Sequence, residues 1–547
     1  LIINHLFDMN KIEYNLLLII AITNLIACVP NMDLNNPEEI SIDTYYLNQE
    51  QLESAIIPAY QSLFGVCQGG YAVGAFNNLL APGDDYDVTP LNTGVYQDTY
   101  NTPAYDGTIL NAWKDHFSGV YAANLAIEKL NNFTGELQED IKNRMLGEAY
   151  FLRGLHYMHL CMLFGETIPL YDHPVNDAKD YYKGNSQPGE IYQLITNDFL
   201  KASELLPLRS IMYQNADHIG RATKGAAQAY LARAYLYRPI LEKGNIAEFV
   251  KAERILKEII DSNEYSLVDN FRANSMGGEY ENNPESLFEI QYSLGADFFE
   301  QSYSLRWQMI GLPSGTGNAW WNLAPNQRTF NEFEAGDPRK FMTLWCPEGA
   351  HYTELNGHIA DWDYMYKMLP INIPLYGTRK YCPDYQMGNI ANENNERLMR
   401  YADVLLMYAE CLHEAGKDKL PINDPNGPKY WIQMIRSRAN NIVPSEQPHL
   451  WYQHSPGTIP DVETFLASGI VINGIPMNNI KNLIVHERYV EFCGEYLRYF
   501  DLLRWGMADE KWLQSIKNLG WSEKAMYYPF PQQELNNNKN LQGNKMN

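Results

Sequence analysis

The segment GNAWWNLAPNQR, Gly317 to Arg328, sets Trp320 beside Trp321 among Gly, Pro and Asn, where no helical face accounts for two large rings. The rings offer flat apolar faces, and Arg328 adds a planar fork of hydrogen-bond donors. A second loop, GDDYDVTPLNTGVYQDTYNTPAYDG from Gly83 to Gly107, interleaves Tyr86, Tyr96, Tyr100 and Tyr105 with Asp98, Asn101 and Asp106. Rings that stack, next to amides, carboxylates and guanidinium groups that hydrogen-bond in pairs, can hold a polar ligand without making or breaking bonds. The candidate contacts are therefore Trp320, Trp321, Tyr96, Asp98, Tyr100, Asn101 and Arg328. Tyr303, Arg306 and Trp307 in QSYSLRWQ form a further group, although that segment also suits a packed helix. For the tryptophan pair, the competing reading has one ring plugging the scaffold and the other touching ligand at the rim.

Bond-making chemistry has less to stand on. Asp84, Asp85 and Asp87 are carboxylates at short loop spacing, which suits a hard cation such as calcium, but the Gly and terminal Glu of an EF-hand loop are missing. Neither a metal nor another cofactor is the favoured expectation; Asp85 equally suits a helix cap or a loop brace. His156 and His159 stand three apart on one helical pattern without a third ligand, and read as packing histidines. His413-Glu414 and His486-Glu487 never complete His-Glu-x-x-His, and neither a Gly-x-Ser-x-Gly elbow nor a Gly-rich phosphate loop is present. Arg488, Glu491, Arg498, Asp501 and Arg504 recur at helical spacing and read as ion pairs that order a helix. An enzyme is not expected.

Composition narrows the partners. The chain has 547 residues, 45% hydrophobic and 20% charged, with no low-complexity block, so it can bury a large core. Lys+Arg 42 against Asp+Glu 66 gives a net charge of -24, which argues against nucleic acid. The 39 Tyr and 11 Trp outweigh the 20 Phe, so most rings carry a polar handle.

The elements that must position these residues are mainly helices. Residues 1–27 read as an export signal: Met9 as the start, Lys11 as a weak positive region, and an apolar run from Leu16 to Ile22 too short to span a bilayer. The run ends in Leu25-Ile26-Ala27-Cys28, similar to a bacterial lipobox whose Cys28 is lipidated; the plainer alternative is an ordinary signal cleaved after Ala27. Residues 28–547 show no linker composition and read as one domain. Met145, Ala149, Leu152, Leu155, Met158 and Met162 mark a buried helix face stopped at Phe164-Gly165. A second helix is predicted from near Arg221 through RATKGAAQAYLARAYLY, with Ala222, Ala226 and Ala229 on one face. Met399, Ala402, Leu406 and Ala409 repeat the pattern up to Gly416, with Trp431 to Ala439 as a partner helix. The result is a mostly α fold, a degenerate scaffold of tetratricopeptide-like helical pairs with few short strands. Long loops near 68–110 and 263–396 interrupt it, the one clear strand being SLFEIQYS, with Phe288, Ile290 and Tyr292 alternating. Cys161, Cys411 and Cys493 fall in helical patterns; a Cys346–Cys382 disulfide is conceivable in the loop-rich region.

Several segments in order resemble the SusD/RagB family. NMDLNNPEEIS (Asn31 to Ser41) is similar to the family's Leu-Asp opening before a Pro, with Met32 for Leu. LGEAYFLRGLHYMHLCMLFGETIPL (Leu146 to Leu170), IGRATKGAAQAYLARAYLY (Ile219 to Tyr237) and RLMRYADVLLMYAECLHEAG with IRSRAN resemble its helices, Asp403 replacing the usual Glu. VHERYVEFCGEYLRYFDLLRWG (Val485 to Gly506) and YYPFPQQELNNNKNLQGN (Tyr527 to Asn544) resemble its C-terminal signatures. The resemblance implies an outer-membrane, cell-surface lipoprotein of a Bacteroidetes-type bacterium, anchored through Cys28. It further implies nutrient capture, most often glycans bound without chemistry, and delivery to a SusC-like TonB-dependent transporter. Trp320, Trp321 and Trp307 would then stack on sugar rings, with Asp98, Asn101 and Arg328 as polar discriminators. A glycoside hydrolase, with two carboxylates flanking a cleft, and a peptide-binding helical-repeat protein are the alternatives.

Overall fold

The computed structural model describes residues 45–68, 79–89, 96–175, 177, 180–238, 246–292, 321–346, 353–355, 358–360, 376–381, 394–441, 458–506 and 510–544. The chain divides into two compact units, 1–51 and 52–547. In the first, Asn48 Oδ1 accepts from Gln51 N at 3.0 Å and caps the start of helix α1 (Gln49–Gln68). The second unit is built mostly of helices, as the periodicity predicts.

The frame runs through α2 (Gly107–Asn132), α3 (Glu139–Phe164), α4 (Glu190–Leu205), α5 (Lys224–Tyr237) and α6 (Ile246–Asp261). Each packs on the next. Two short helices, α7 (Gln327–Glu332) and α8 (Pro338–Thr343), lie in the loop-rich stretch. They are followed by α9 (Tyr401–Glu414), α10 (Pro428–Asn440), α11 (Ile480–Phe492), α12 (Arg498–Gly506) and α13 (Glu510–Lys517). Helix α9 packs on α6, α10 and α11. Among the described residues no helix is long and apolar enough to cross a membrane.

Local chemistry sets the boundaries. Asp106 accepts from Thr108 N at 2.7 Å to open α2, and Gly165, at φ +83, ends α3 with its N–H on Cys161 O at 2.9 Å. Helix α5 opens at Lys224 rather than near Arg221, because Thr223 Oγ1 caps Ala226 N at 3.3 Å while Ala222 N donates to Tyr60 OH at 2.9 Å. Helices α2 and α3 approach so closely at Gly119 that a Cβ there would lie 2.1 Å from His156 Nε2. His156 itself is a packing residue, 3.0 Å from both Ala59 O and His116 Nδ1.

Short strands stitch the loops together. Strand β1 (Tyr86–Val88) pairs antiparallel with β3 (Leu323–Pro325), and β2 (Ser286–Ile290) with β6 (Glu396–Arg400); β4 (Leu344–Trp345) pairs with β5 (Gly377–Thr378). Strand β2 is buried along its whole length rather than on alternate residues. Met399, assigned to a helix by periodicity, lies in β6 opposite Phe288. Ion pairs favour the strand over the helix here: Arg397 Nε lies 3.1 Å from Glu289 and Arg400 Nη1 2.5 Å from Glu285.

Helix α11 is the electrostatic spine. His486, Glu487, Arg488 and Glu491 are all buried. His486 Nδ1 lies 3.1 Å from Glu332 and Nε2 3.3 Å from Glu334. Glu487 meets Arg339 at 2.9 Å and also Arg436, while Arg488 reaches Asp403 at 2.5 Å and Asp501 at 2.8 Å. Glu491 collects Arg400 at 2.9 Å, Arg339 at 3.4 Å and Arg438. Arg504 grips Glu410 through two nitrogens, at 2.7 and 2.8 Å. The charged set does form ion pairs, but it is divided between α11 (Arg488, Glu491) and α12 (Arg498, Asp501, Arg504) rather than lying on one helix. Burial works against ionisation of Asp403, but Arg488 and Arg233 outweigh it and hold its carboxyl at about 2. Burial likewise opposes the His486 imidazolium, yet hydrogen bonds to Glu332 and Glu334 push it up to about 9.

Glu491→Gln leaves three buried guanidinium groups short of one counter-charge, and is expected to cost about 3–5 kcal/mol. Scanning calorimetry should show a Tm lowered by several degrees; an unchanged Tm would mean the lattice is not what holds the frame.

Candidate ligand-binding site

The β1–β3 pairing brings the two aromatic loops of the sequence together, with Tyr86 opposite Pro325 and Val88 opposite Leu323. Thr89 extends the contact, its N donating to Asn322 O at 3.0 Å and its hydroxyl to Trp321 O at 2.5 Å. Asn326 locks the junction by donating to Asp84 O at 3.2 Å and Asp87 Oδ1 at 2.7 Å, while its own Oδ1 caps Thr329 N of α7 at 3.0 Å.

The acidic residues at this junction are structural. Asp84 is gripped by Arg498 through Nε at 2.6 Å and Nη2 at 3.2 Å, and by Arg328 Nε at 2.8 Å. Burial opposes its charge, and the two guanidinium groups overcome this to hold the carboxyl at about 2. Asp85 accepts from Gly494 N at 3.2 Å through Oδ2, while Oδ1 is buried without a partner. Burial, and then the charge of Asp84, push it up to about 7. Asp84 is taken by two arginines and Asp87 accepts from Asn326, so both carboxylates already brace the junction. Among the described residues, Glu334, His486 and Glu487 are close enough to share a metal, but each is already engaged in the ion lattice.

Two of the expected ligand contacts are corrected by this geometry. Trp321 is fully buried, so its ring packs the scaffold beneath β3 and offers no face to a ligand. Arg328 is committed to Asp84 and is mostly buried, which makes it a loop brace. Trp320, Trp307 and Cys28 lie outside the described residues.

The remaining candidates lie beyond Val88, around the single turn Gln97–Thr99. Tyr96 is 41% exposed at its start. Asp98 is half-buried; burial and then Asp87 raise its carboxyl to about 6, against a hydrogen bond from Val88 N–H. Tyr100, at φ +54, donates its hydroxyl to Pro82 O at 2.7 Å and stacks on Tyr499, ring centroids 6.2 Å apart. Tyr100 and Asn101 line a cavity of about 320 Å³, closed on the other side by Tyr499 of α12 and by Lys524, Tyr527 and Tyr528. Among the described residues that line it there is no carboxylate. It offers aromatic faces and hydrogen-bonding groups, and no acid–base pair for hydrolysis. Tyr499, Tyr527 and Tyr528 were not expected at a site. The signal for the last two was present: adjacent rings followed by Pro529 outside any helix, the same pattern that singles out Trp320 and Trp321.

Residues 273–546 match the SusD family, and residues 85–236 match a family described as starch-binding associating with outer membrane. The chain is similar to SusD-like protein P2 of Formosa agariphila, 25% identical over 557 residues, covering 97% of this chain and 99% of that protein. It is similar in structure to a SusD superfamily protein from Bacteroides vulgatus, with a TM-score of 0.71 at 24% identity, covering 92% of this chain and 100% of that one. It is also similar to surface glycan-binding protein A from Bacteroides fluxus, with a TM-score of 0.68 at 23% identity, covering 91% and 99%. The solved structures share the helical fold.

The Asp85 carboxyl titrates near 4 in an unfolded chain but holds its proton to about 7 in the fold. Folding therefore takes up a proton between these values, and native stability falls as pH rises through that window, the penalty being absent below about pH 4 and complete above about pH 7. Asp85→Asn, whose amide oxygen can still accept from Gly494 N, should raise stability by up to about 4 kcal/mol near pH 8 and leave it unchanged near pH 4. Melting curves at the two pH values check this; equal Tm for mutant and wild type at the higher pH would contradict it.

Proposed function

The chain belongs to the SusD family, and from that premise we propose that it is a non-catalytic glycan-binding protein of the cell surface. The observation that carries the reading is the cavity between Tyr100 and Tyr528, whose described lining presents tyrosine rings, hydrogen-bonding groups and one lysine, without a carboxylate. Pyranose rings have apolar C–H faces and paired hydroxyls, and such a surface meets both. The printed descriptions of the second matching family and of one structural relative, starch-binding and surface glycan-binding, support the same class of ligand.

The finer reading follows the family resemblance. Cys28 is lipidated and tethers the protein to the outer membrane, and captured oligosaccharide passes to a SusC-like TonB-dependent transporter. Asn101 in the lining, with Tyr96 and Asp98 of the preceding turn, discriminates hydroxyl patterns. Trp320 and Trp307, which lie outside the described residues, add stacking faces in this reading.

Tyr100→Ala is expected to weaken binding of the glycan identified on an array at least about tenfold, the size of a lost ring contact with its buried area. Calorimetry on the full chain checks this, with Tm as the folding control and reducing-end release as the test for hydrolysis. Unchanged affinity would place the site elsewhere, and released reducing ends would favour the hydrolase.

A further inference from the structure

The polar groups of the tyrosine cavity divide by whether the fold already uses them. The Tyr100 hydroxyl is spent on Pro82 O at 2.7 Å, and the Tyr499 hydroxyl accepts from Trp521 Nε1 at 3.3 Å and donates toward Met526 O at 3.2 Å. These two residues have only ring faces left to offer. Thr102 Oγ1 is buried without a partner. Ser522 precedes the turn Glu523–Ala525 yet caps none of its N–H groups. Lys524 lines the cavity, is exposed, and has no ion-pair or hydrogen-bond partner among the described residues.

Of these free groups the ammonium donates only and the hydroxyls can do both, while Asn101 in the same lining offers an amide donor and acceptor. A carboxylate, the strong acceptor that would balance the ammonium, is missing from the described lining. Lys524 forms no ion pair with a carboxylate of the described residues, its sequence neighbour Glu523 included. Asp84 is held by Arg498 and Arg328, and Asp106 is spent capping α2 through Thr108 N and Ile109 N. Asp98 accepts from Val88 N, and burial disfavours its charge. On a chain of net charge -24, Lys524 is a cation without an ion-pair partner among the described residues at an aromatic cavity.

We propose that this cavity selects a sugar residue bearing an anionic substituent, a uronate carboxylate or a sulfate ester. Lys524 pairs with the anion, Thr102 and Ser522 supply hydrogen bonds, and the Tyr100 ring, backed by Tyr499, packs the C–H side of the sugar ring. A charge-assisted hydrogen bond to such a group is shorter and stronger than one to a hydroxyl, and this gives the discrimination. The assignment rests on the glycan-binding reading and narrows it to acidic glycans.

The test uses the full chain on a panel of length-matched oligosaccharides: uronate-containing chains with their carboxyl-reduced counterparts, and sulfated chains with their desulfated counterparts. Wild type should bind acidic members at least about tenfold tighter than their neutral counterparts, the advantage shrinking in high salt. Whichever pair shows the difference identifies carboxylate or sulfate as the anion. Lys524→Met should lose most of that advantage, and Lys524→Arg should keep it; since Lys524 has no partner in the fold, Tm should not move. Equal binding of acidic and neutral counterparts, or an acidic preference intact in Lys524→Met, overturns the proposal and leaves glycan binding standing. A panel blank throughout overturns the glycan reading and this proposal with it.

Discussion

Charge buried in pairs is the constraint on which the rest of this structure depends. Helix α11 carries His486, Glu487, Arg488 and Glu491 into the interior, and each must meet an opposite charge there or the fold cannot bear its desolvation. Their partners come from segments far apart in sequence: Glu332 and Glu334, Arg339, Arg400, Asp403, Arg436, Arg438 and Asp501. A lattice of this kind is weak evidence of extra stability, since a well-packed apolar core can do as well. Its effect is on arrangement, because only one docking of these segments satisfies every member.

That arrangement reaches the ligand-binding surface directly. Asp501 is shared by Arg488 and Arg504, and three residues before it Arg498 leaves the same helix to hold Asp84 at the root of the first aromatic loop. The second loop is tied in by Arg328 on Asp84 and by Glu332 and Glu334 on His486. Tyr100 follows the anchored strand β1 after one turn, and its ring meets Tyr499, the residue next to Arg498. The recognition groups therefore stand on an assembled base, and a ligand that meets them does not bear the entropy cost of ordering that base.

Much of the frame was legible in the sequence because helical periodicity and glycine stops are local signals. The helix through Met145 to Met158 and its end at Gly165 are observed as predicted, although burial extends round most of the helix and Met162 is only half-buried. Arg488, Glu491, Arg498, Asp501 and Arg504 form buried ion pairs from two helices rather than one. Non-local pairing was not legible. Met399 follows the helical period but lies in β6, since Arg397 and Arg400 find their carboxylates on β2. Arg328 and Asp84 read as a ligand contact and a weak cation ligand, yet each is spent on a partner, one of them more than four hundred residues away. Trp321 and its neighbour Trp320 are alike in sequence, and the burial of the Trp321 ring is set by tertiary packing that sequence does not show. Tyr527 and Tyr528 carry no local signal of the loop they share a cavity with, since Tyr100 lies more than four hundred residues away in sequence.

The central claim is that a preassembled, charge-locked base presents one tyrosine cavity to a glycan. Hydrogen–deuterium exchange of the full chain, with and without a saturating oligosaccharide, tests it most directly. The account predicts new protection confined to the segments around 96–102 and 521–529, with α11 already slow to exchange and unaltered by ligand. Protection centred elsewhere, or an α11 that becomes protected only when ligand binds, would contradict it.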